Sequence, residues 1–267
     1  MTWSLDDISW SRFTPAAIDA GTVRLVKAAA LVEANADDYV AYLLNVFHDD
    51  PAFQDAARQW GAEENQHGQA LGRWAETADP SFDFEDALRR FRQLYRPDVA
   101  TARSIRGSQA GELISRCVVE CGTSSLYSAL RDASAEPVLR QICHRIAGDE
   151  FRHYQLFRTH LQRYPRPPLW TRVRIAAGRV LETTDDELAS AWHAANAGDA
   201  PYDRRACARA YERHAVVHYR QGHVVRMVAM IAKAIELNPQ ARPTRWLQRF
   251  AWWLLQHRRV DPQVLQA

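Results

Sequence analysis

The sequence predicts an all-α protein: a four-helix bundle over residues 1–164, then a helical carboxy-terminal extension over 165–267. Three observations lead there. Alanine, leucine, arginine and glutamate dominate, no window alternates with the two-residue period of a strand, and long helical runs are separated by short proline-containing breakers.

In chain order, Thr14-Pro15 reads as a cap and first-turn proline, opening a helix that runs to about Phe47. HDDP (48–51) breaks it, and a second long helix continues to about Glu76. ADPSFD is a loop, EDALRRFRQLY a short helix, and Pro97 a further break. A third long helix spans roughly Ser108 to Asp132, ASAEP (133–137) interrupts, and a fourth continues to about Tyr164. YPRPP (164–168) is the clearest boundary, and helical segments follow near 169–182, 185–197, 202–236 and 243–257.

The 267 residues are 47% hydrophobic and 25% charged, enough for a sizeable core. A net charge of +2 gives no reason to expect nucleic acid. The start, MTWSLDDISWSRF, lacks the pattern of a signal peptide, and no run approaches the ~20 apolar residues of a membrane span, so a cytoplasmic location is expected. Cys117, Cys121, Cys143 and Cys207 form no C-x-x-C pair, which excludes a zinc ribbon or a rubredoxin-type iron site and leaves reduced thiols in a helical core.

The chemistry lies in a motif and its echo. AEENQHGQAL (62–71) places Glu64 and His67 three apart on one helix face, and GDEFRHYQLF (148–157) does the same with Glu150 and His153. Glu33 stands 31 residues before Glu64, and Glu120 stands 30 before Glu150. Each interval runs up one helix, turns at a proline (Pro51 or Pro137) and returns 13 residues to the second acid. At about 1.5 Å per residue each leg is on the order of 20–25 Å, so an antiparallel hairpin brings its two acids to the same level.

Two such hairpins supply four glutamates and two histidines, the ligand set of carboxylate bundles that hold two iron or two manganese ions. Buried carboxylates repel one another and lose hydration, at a cost of several kcal/mol per ion, which divalent cations remove. Oxygen and imidazole donors without thiolates suit iron or manganese. Asp37, one turn from Glu33, is the alternative fourth acid. Glu63 and Asp149, each just ahead of a Glu-x-x-His, could accept the free ring N–H of the histidine on the opposite hairpin.

These segments resemble the soluble acyl-carrier-protein desaturases of the ferritin-like superfamily. EENQHG (63–68) is similar to that family's first Glu-x-x-His segment, LRQICHRIAGDEFRH (139–153) to its second, and ECGT (120–123) to its third-helix Glu-x-x-Thr. The resemblance covers roughly residues 20–163; the chain is shorter than a typical plant-type desaturase, and the part after Tyr164 does not share it.

It implies a ferritin-like bundle with Glu33 and Glu120 as terminal ligands and Glu64 and Glu150 as bridging ones. His67 and His153 would each give one nitrogen per metal. Thr123 would orient oxygen or deliver a proton; otherwise it is a helix threonine bonding its own backbone. The implied cofactors are two iron ions, or a mixed manganese–iron pair, with O2 as co-substrate.

The implied activity is oxidation of an unactivated C–H bond, by desaturation or hydroxylation of a fatty acyl chain. Iron handling or peroxide reduction is an alternative, as is an oxygenase acting on a tRNA base, a quinone or a fatty aldehyde. Electrons would come from an external ferredoxin or reductase, since the chain has no C-x-x-C module. An acidic acyl carrier protein, a peripheral membrane contact and a homodimer are open as further partners.

Beyond Tyr164, Arg163, Arg166, Arg172, Arg174 and Arg179 form a basic cluster, expected to be a solvated face unless an acidic carrier or lipid docks there. RWLQRFAWWLLQHRR (245–259) is expected to pack against the bundle; lying on a membrane or covering a substrate channel are the alternatives. His214 and His218, with Glu212, are expected to be structural, and Trp60 and Tyr127 to be core or to line the site.

Overall fold

The computed structural model describes residues 3–182, 186–198 and 200–259; position 185, where one expected helix begins, lies outside them. Among the described residues every regular element is helical, so the fold is an all-α helical bundle. In order these are α1 (Ala20–Glu33), α2 (Ala36–Val46), α3 (Pro51–Ala78), α4 (Phe84–Leu94), α5 (Gln109–Ala133) and α6 (Pro137–Leu161). α7 (Leu169–Leu181), α8 (Asp186–Asn196), α9 (Arg204–Val216), α10 (Gln221–Ala234) and α11 (Arg242–Arg259) follow.

The helix starts have visible causes. Asp19, Asp50 and Asp83 accept the backbone N–H groups of Thr22, Phe53 and Asp86, satisfying donors that have no partner within their helices. Glu136 does the same for α6 by accepting from Leu139 at 2.7 Å.

Three boundaries differ from expectation. Pro15 opens a single 3-10 turn rather than a helix: the chain turns extended at Ile18, with φ −110° and ψ 130°, and Thr14 N–H is held by the distant Glu136 carboxylate, 3.1 Å away. The expected first helix splits between Glu33 and Ala36. There Arg92 takes the Ala34 carbonyl at 2.9 Å, and Asn35 is buried at 1% exposure. The expected 202–236 helix breaks after Val216, and α10 restarts where the His223 ring accepts Arg220 N–H at 3.0 Å.

The chain forms two compact units. The first comprises residues 1–103, 134–145 and 183–214. Here α3 packs against α1 and α2 through glycines: a Cβ on Gly68 would sit 2.6 Å from Ala34 N, and one on Gly61 would collide with Val40. Helix α8 lies along α1 and α4, held by Asn196 on the Arg24 carbonyl and Arg90 on the Ala194 carbonyl.

An amino-terminal strap, residues 3–18, binds across α3 and the start of α6. Arg73 lies over the Trp10 ring at 4.2 Å, Phe13 meets Trp74 edge-on, and Ser9 N–H donates to Gln141. Trp74 Nε1 donates to Glu136 at 2.8 Å.

The second unit comprises residues 104–133, 146–182 and 215–267. Ile114 and Val118 of α5, Ile175 and Ala176 of α7, and Ile235 form an apolar cluster. Tyr154 of α6 donates to the Met230 carbonyl at 3.0 Å, and His223 pairs with Asp132 at 3.0 Å. Glu236 ends α10 with φ 58°, a left-handed conformation unusual for a residue with a side chain, and Arg166 and Arg172 both grip its carboxylate.

That grip corrects the expectation of a solvated basic face at Arg172, while Arg163, Arg166 and Arg174 are exposed as expected. Arg172 is buried, Arg166 shares its partner, and Arg179 pairs with Glu182. Helix α11 packs on α10 as expected, but the stripe of Trp246, Phe250 and Trp253 does not take part. Thr244 and Gln248 face inward, while Trp246, Phe250 and Trp253 are exposed.

Candidate metal centre

Glu33 ends α1, and Glu64 and His67 stand on consecutive turns of α3. All three are buried, and their donor atoms lie within 4.8 Å of one another. His67 Nδ1 is 3.7 Å from Glu33 and 3.5 Å from Glu64. The close backbone approach at Gly68, the residue after His67, sets this level of α3 against the end of α1.

The second unit repeats the arrangement. Glu120 of α5 and Glu150 and His153 of α6 are buried with donor atoms within 4.8 Å of one another, and His153 Nδ1 is 3.8 Å from Glu120. The same ring nitrogen faces carboxylate in both triads.

These separations are at or beyond the limit of a hydrogen bond. They are of the size that two ligands subtend when each lies about 2.0–2.2 Å from a shared ion. The donors are hard oxygens and imidazole nitrogen, the set that suits iron or manganese. Buried Glu and His side chains in each triad can therefore hold a metal ion.

Thr123 donates to Glu150 Oε2 at 2.6 Å, while its contacts with the Val119 and Glu120 carbonyls are longer, at 3.3 Å. The hydroxyl proton therefore goes to the carboxylate, which it fixes in orientation. Glu63 is buried and accepts from Gln59; Asp149 is buried and ion-paired with Arg152.

Asp37, the alternative to Glu33, is exposed and bonds Asn65 at 2.8 Å. All four cysteines are free and buried. Burial pushes the Cys117 thiol up to about 12 and, with Cys117 and Glu120 nearby, holds the Cys121 thiol well above its ordinary range.

Trp60 and Tyr127 are buried core residues. His214 packs on Trp192 at 4.6 Å with its ring on the Ala210 carbonyl, and burial lowers its pKa. His218 lies beyond the end of α9, so the two histidines do not share a helix.

Sequence reasoning missed Trp3, whose buried indole stacks on the His67 ring at 6.1 Å and 8°. Only the density of aromatics in the first thirteen residues hints that this segment folds inward.

No family model matches the chain, and no curated protein matches it either. Among the described residues no helix is long and apolar enough to cross a membrane.

Proposed function

We propose that the two triads together bind two iron ions, or a manganese–iron pair, and that the protein is an oxygen-dependent oxidase of an unactivated C–H bond in a hydrophobic, acyl-like substrate. Glu33 and Glu120 are terminal ligands in this reading, Glu64 and Glu150 bridge, and His67 and His153 give one nitrogen to each ion. The reading rests on one observation: two buried sets of matched composition, each two carboxylates and one imidazole, on helices of matched spacing. It is supported further by the likeness of these segments to the acyl-carrier-protein desaturases.

The bound metal pair would supply activation of O2. The chain's own residues hold and shield that chemistry. Thr123 steadies Glu150 and offers a hydroxyl beside it. In this reading Glu63 and Asp149 would accept the distal ring N–H groups of the ligating histidines, fixing tautomer and raising ligand basicity. Electrons come from a separate ferredoxin or reductase, and an acidic carrier protein presents the substrate.

The test is metal content. Iron-loaded protein should carry two ions per chain by elemental analysis. Glu64→Ala and Glu150→Ala should each lose metal while circular dichroism keeps its helical signal. Two ions retained in either variant would overturn the ligand assignment. Reduced, loaded protein should then consume O2 faster when a long-chain acyl substrate is added; no response to any acyl compound would remove the substrate class.

A further inference from the structure

Helix α11 buries Thr244 and Gln248 and half-buries Ala251, Trp252 and Leu255, yet leaves a second aromatic stripe exposed. Thr244 and Gln248 are buried, their side chains donating to the Asn238 and Val225 carbonyls at 2.9 and 3.3 Å, and this face packs on α10. The aromatic stripe points away: Trp246 is 65% exposed, Phe250 40% and Trp253 51%. At intervals of four and three residues these rings share one crest and stack in succession, with centroids 5.4 and 5.8 Å apart.

Exposed Arg242, Arg245 and Arg249 are spaced by three and four residues, so they form a flank beside that crest; exposed Leu247 and Leu254 form the other. From Arg242 to Arg259 the helix carries five arginines and no acidic residue. An aromatic crest this large is not left in water by a protein that could bury it more cheaply.

We infer that α11 is an interfacial helix that lays its Trp246–Phe250–Trp253 crest into an anionic lipid surface. Indole and phenyl rings favour the boundary between headgroups and acyl chains, and arginines on the flank reach lipid phosphates. The charge decides among occupants. A second copy meeting this face symmetrically would press like-charged arginine flanks together without an acid on either helix. The convex crest with its ring edges outward has the form that enters a deformable lipid layer. The inference is independent of the metal reading.

The experiment is sedimentation of the full chain with phosphatidylcholine vesicles and with vesicles containing about one third phosphatidylglycerol. Binding is expected only to the anionic vesicles, accompanied by a blue shift of tryptophan emission, and it should weaken by about tenfold or more as salt rises from low to physiological strength. The triple variant Trp246→Ser, Phe250→Ser, Trp253→Ser should lose at least about tenfold in partitioning, since each side chain removes buried apolar area. Arg242→Gln with Arg245→Gln and Arg249→Gln should remove the preference for anionic lipid. All these positions are exposed, so helical content and metal content should be unchanged. No vesicle binding, equal binding to neutral vesicles, or an unaltered aromatic variant would overturn the inference. So would sedimentation equilibrium showing a dimer that only the aromatic variant dissolves.

Discussion

The Trp3 indole and the His67 imidazole lie nearly parallel, 8° apart in plane with centroids separated by 6.1 Å. Arg145 also approaches the Trp3 ring, at 5.7 Å. The strap therefore fixes the plane of a ring whose Nδ1 faces two carboxylates. In the proposed two-ion centre, Trp3→Ala should weaken one ion by about 10–100-fold, the range for losing a group that orients a ligand, whereas Trp3→Phe should keep most of the affinity. Competitive cobalt titration, read by visible absorption, checks this; equal weakening of both ions would argue against a local role.

Thr123→Val keeps the shape of the side chain and deletes the proton given to Glu150. Metal affinity should fall by about tenfold or more, with little loss of helical stability, and Thr123→Ser should restore it. A valine variant that binds metal like the parent would reduce Thr123 to a helix residue bonding its own carbonyls.

Gly68 and Gly178 should respond to alanine in opposite directions. A Cβ at 68 meets the Ala34 backbone at 2.6 Å, and neither helix can yield without moving Glu33 or His67. Gly68→Ala should cost about 1–3 kcal/mol in urea unfolding and reduce metal loading. At Gly178 nothing lies within 4 Å, so alanine there should stabilise by about 0.5–1 kcal/mol through its better helix propensity.

Lys27 donates to Asp79 at 2.5 Å, and with Ser81 it holds the Asp79 carboxyl at about 2, well below its ordinary range. A folded-state pKa below the unfolded value means the contribution is present above about pH 4 and is lost as pH falls from about 4 towards 2. The Asp79 side chain is 34% exposed, so solvent screening leaves about 1 kcal/mol or less. Asp79→Asn should lower the urea midpoint at neutral pH, and the difference from the parent should vanish near pH 2.

The helical class was legible because its cause is local: a 3.6-residue period, acidic caps and prolines at breakers need no knowledge of neighbours. Register arithmetic between Pro137 and its paired acids was legible for the same reason, whereas the leg before Pro51 is interrupted at residues 34–35 and is not the single helix that arithmetic assumes. The break after Glu33 was not legible, because it depends on Gly68 bringing another backbone against Ala34 and on Arg92 taking its carbonyl. The stacking of Trp3 on His67, 64 positions away, depends on the strap folding back. For α11 the sequence reveals a stripe but not its direction. Thr244 and Gln248 can face inward only because the Asn238 and Val225 carbonyls are there to receive them.

Glu136 collects the Trp74 indole N–H and the backbone N–H groups of Thr14, Val138 and Leu139 around one buried carboxylate. Detaching the strap would withdraw one of those donors and expose the rest to solvent competition, so residues near Thr14 should open in concert with the start of α6 rather than fray as a tail. In hydrogen exchange the Thr14 amide should show protection close to that of Leu139. A segment with only short 3-10 turns of its own would then share the lifetime of the helices it ties together.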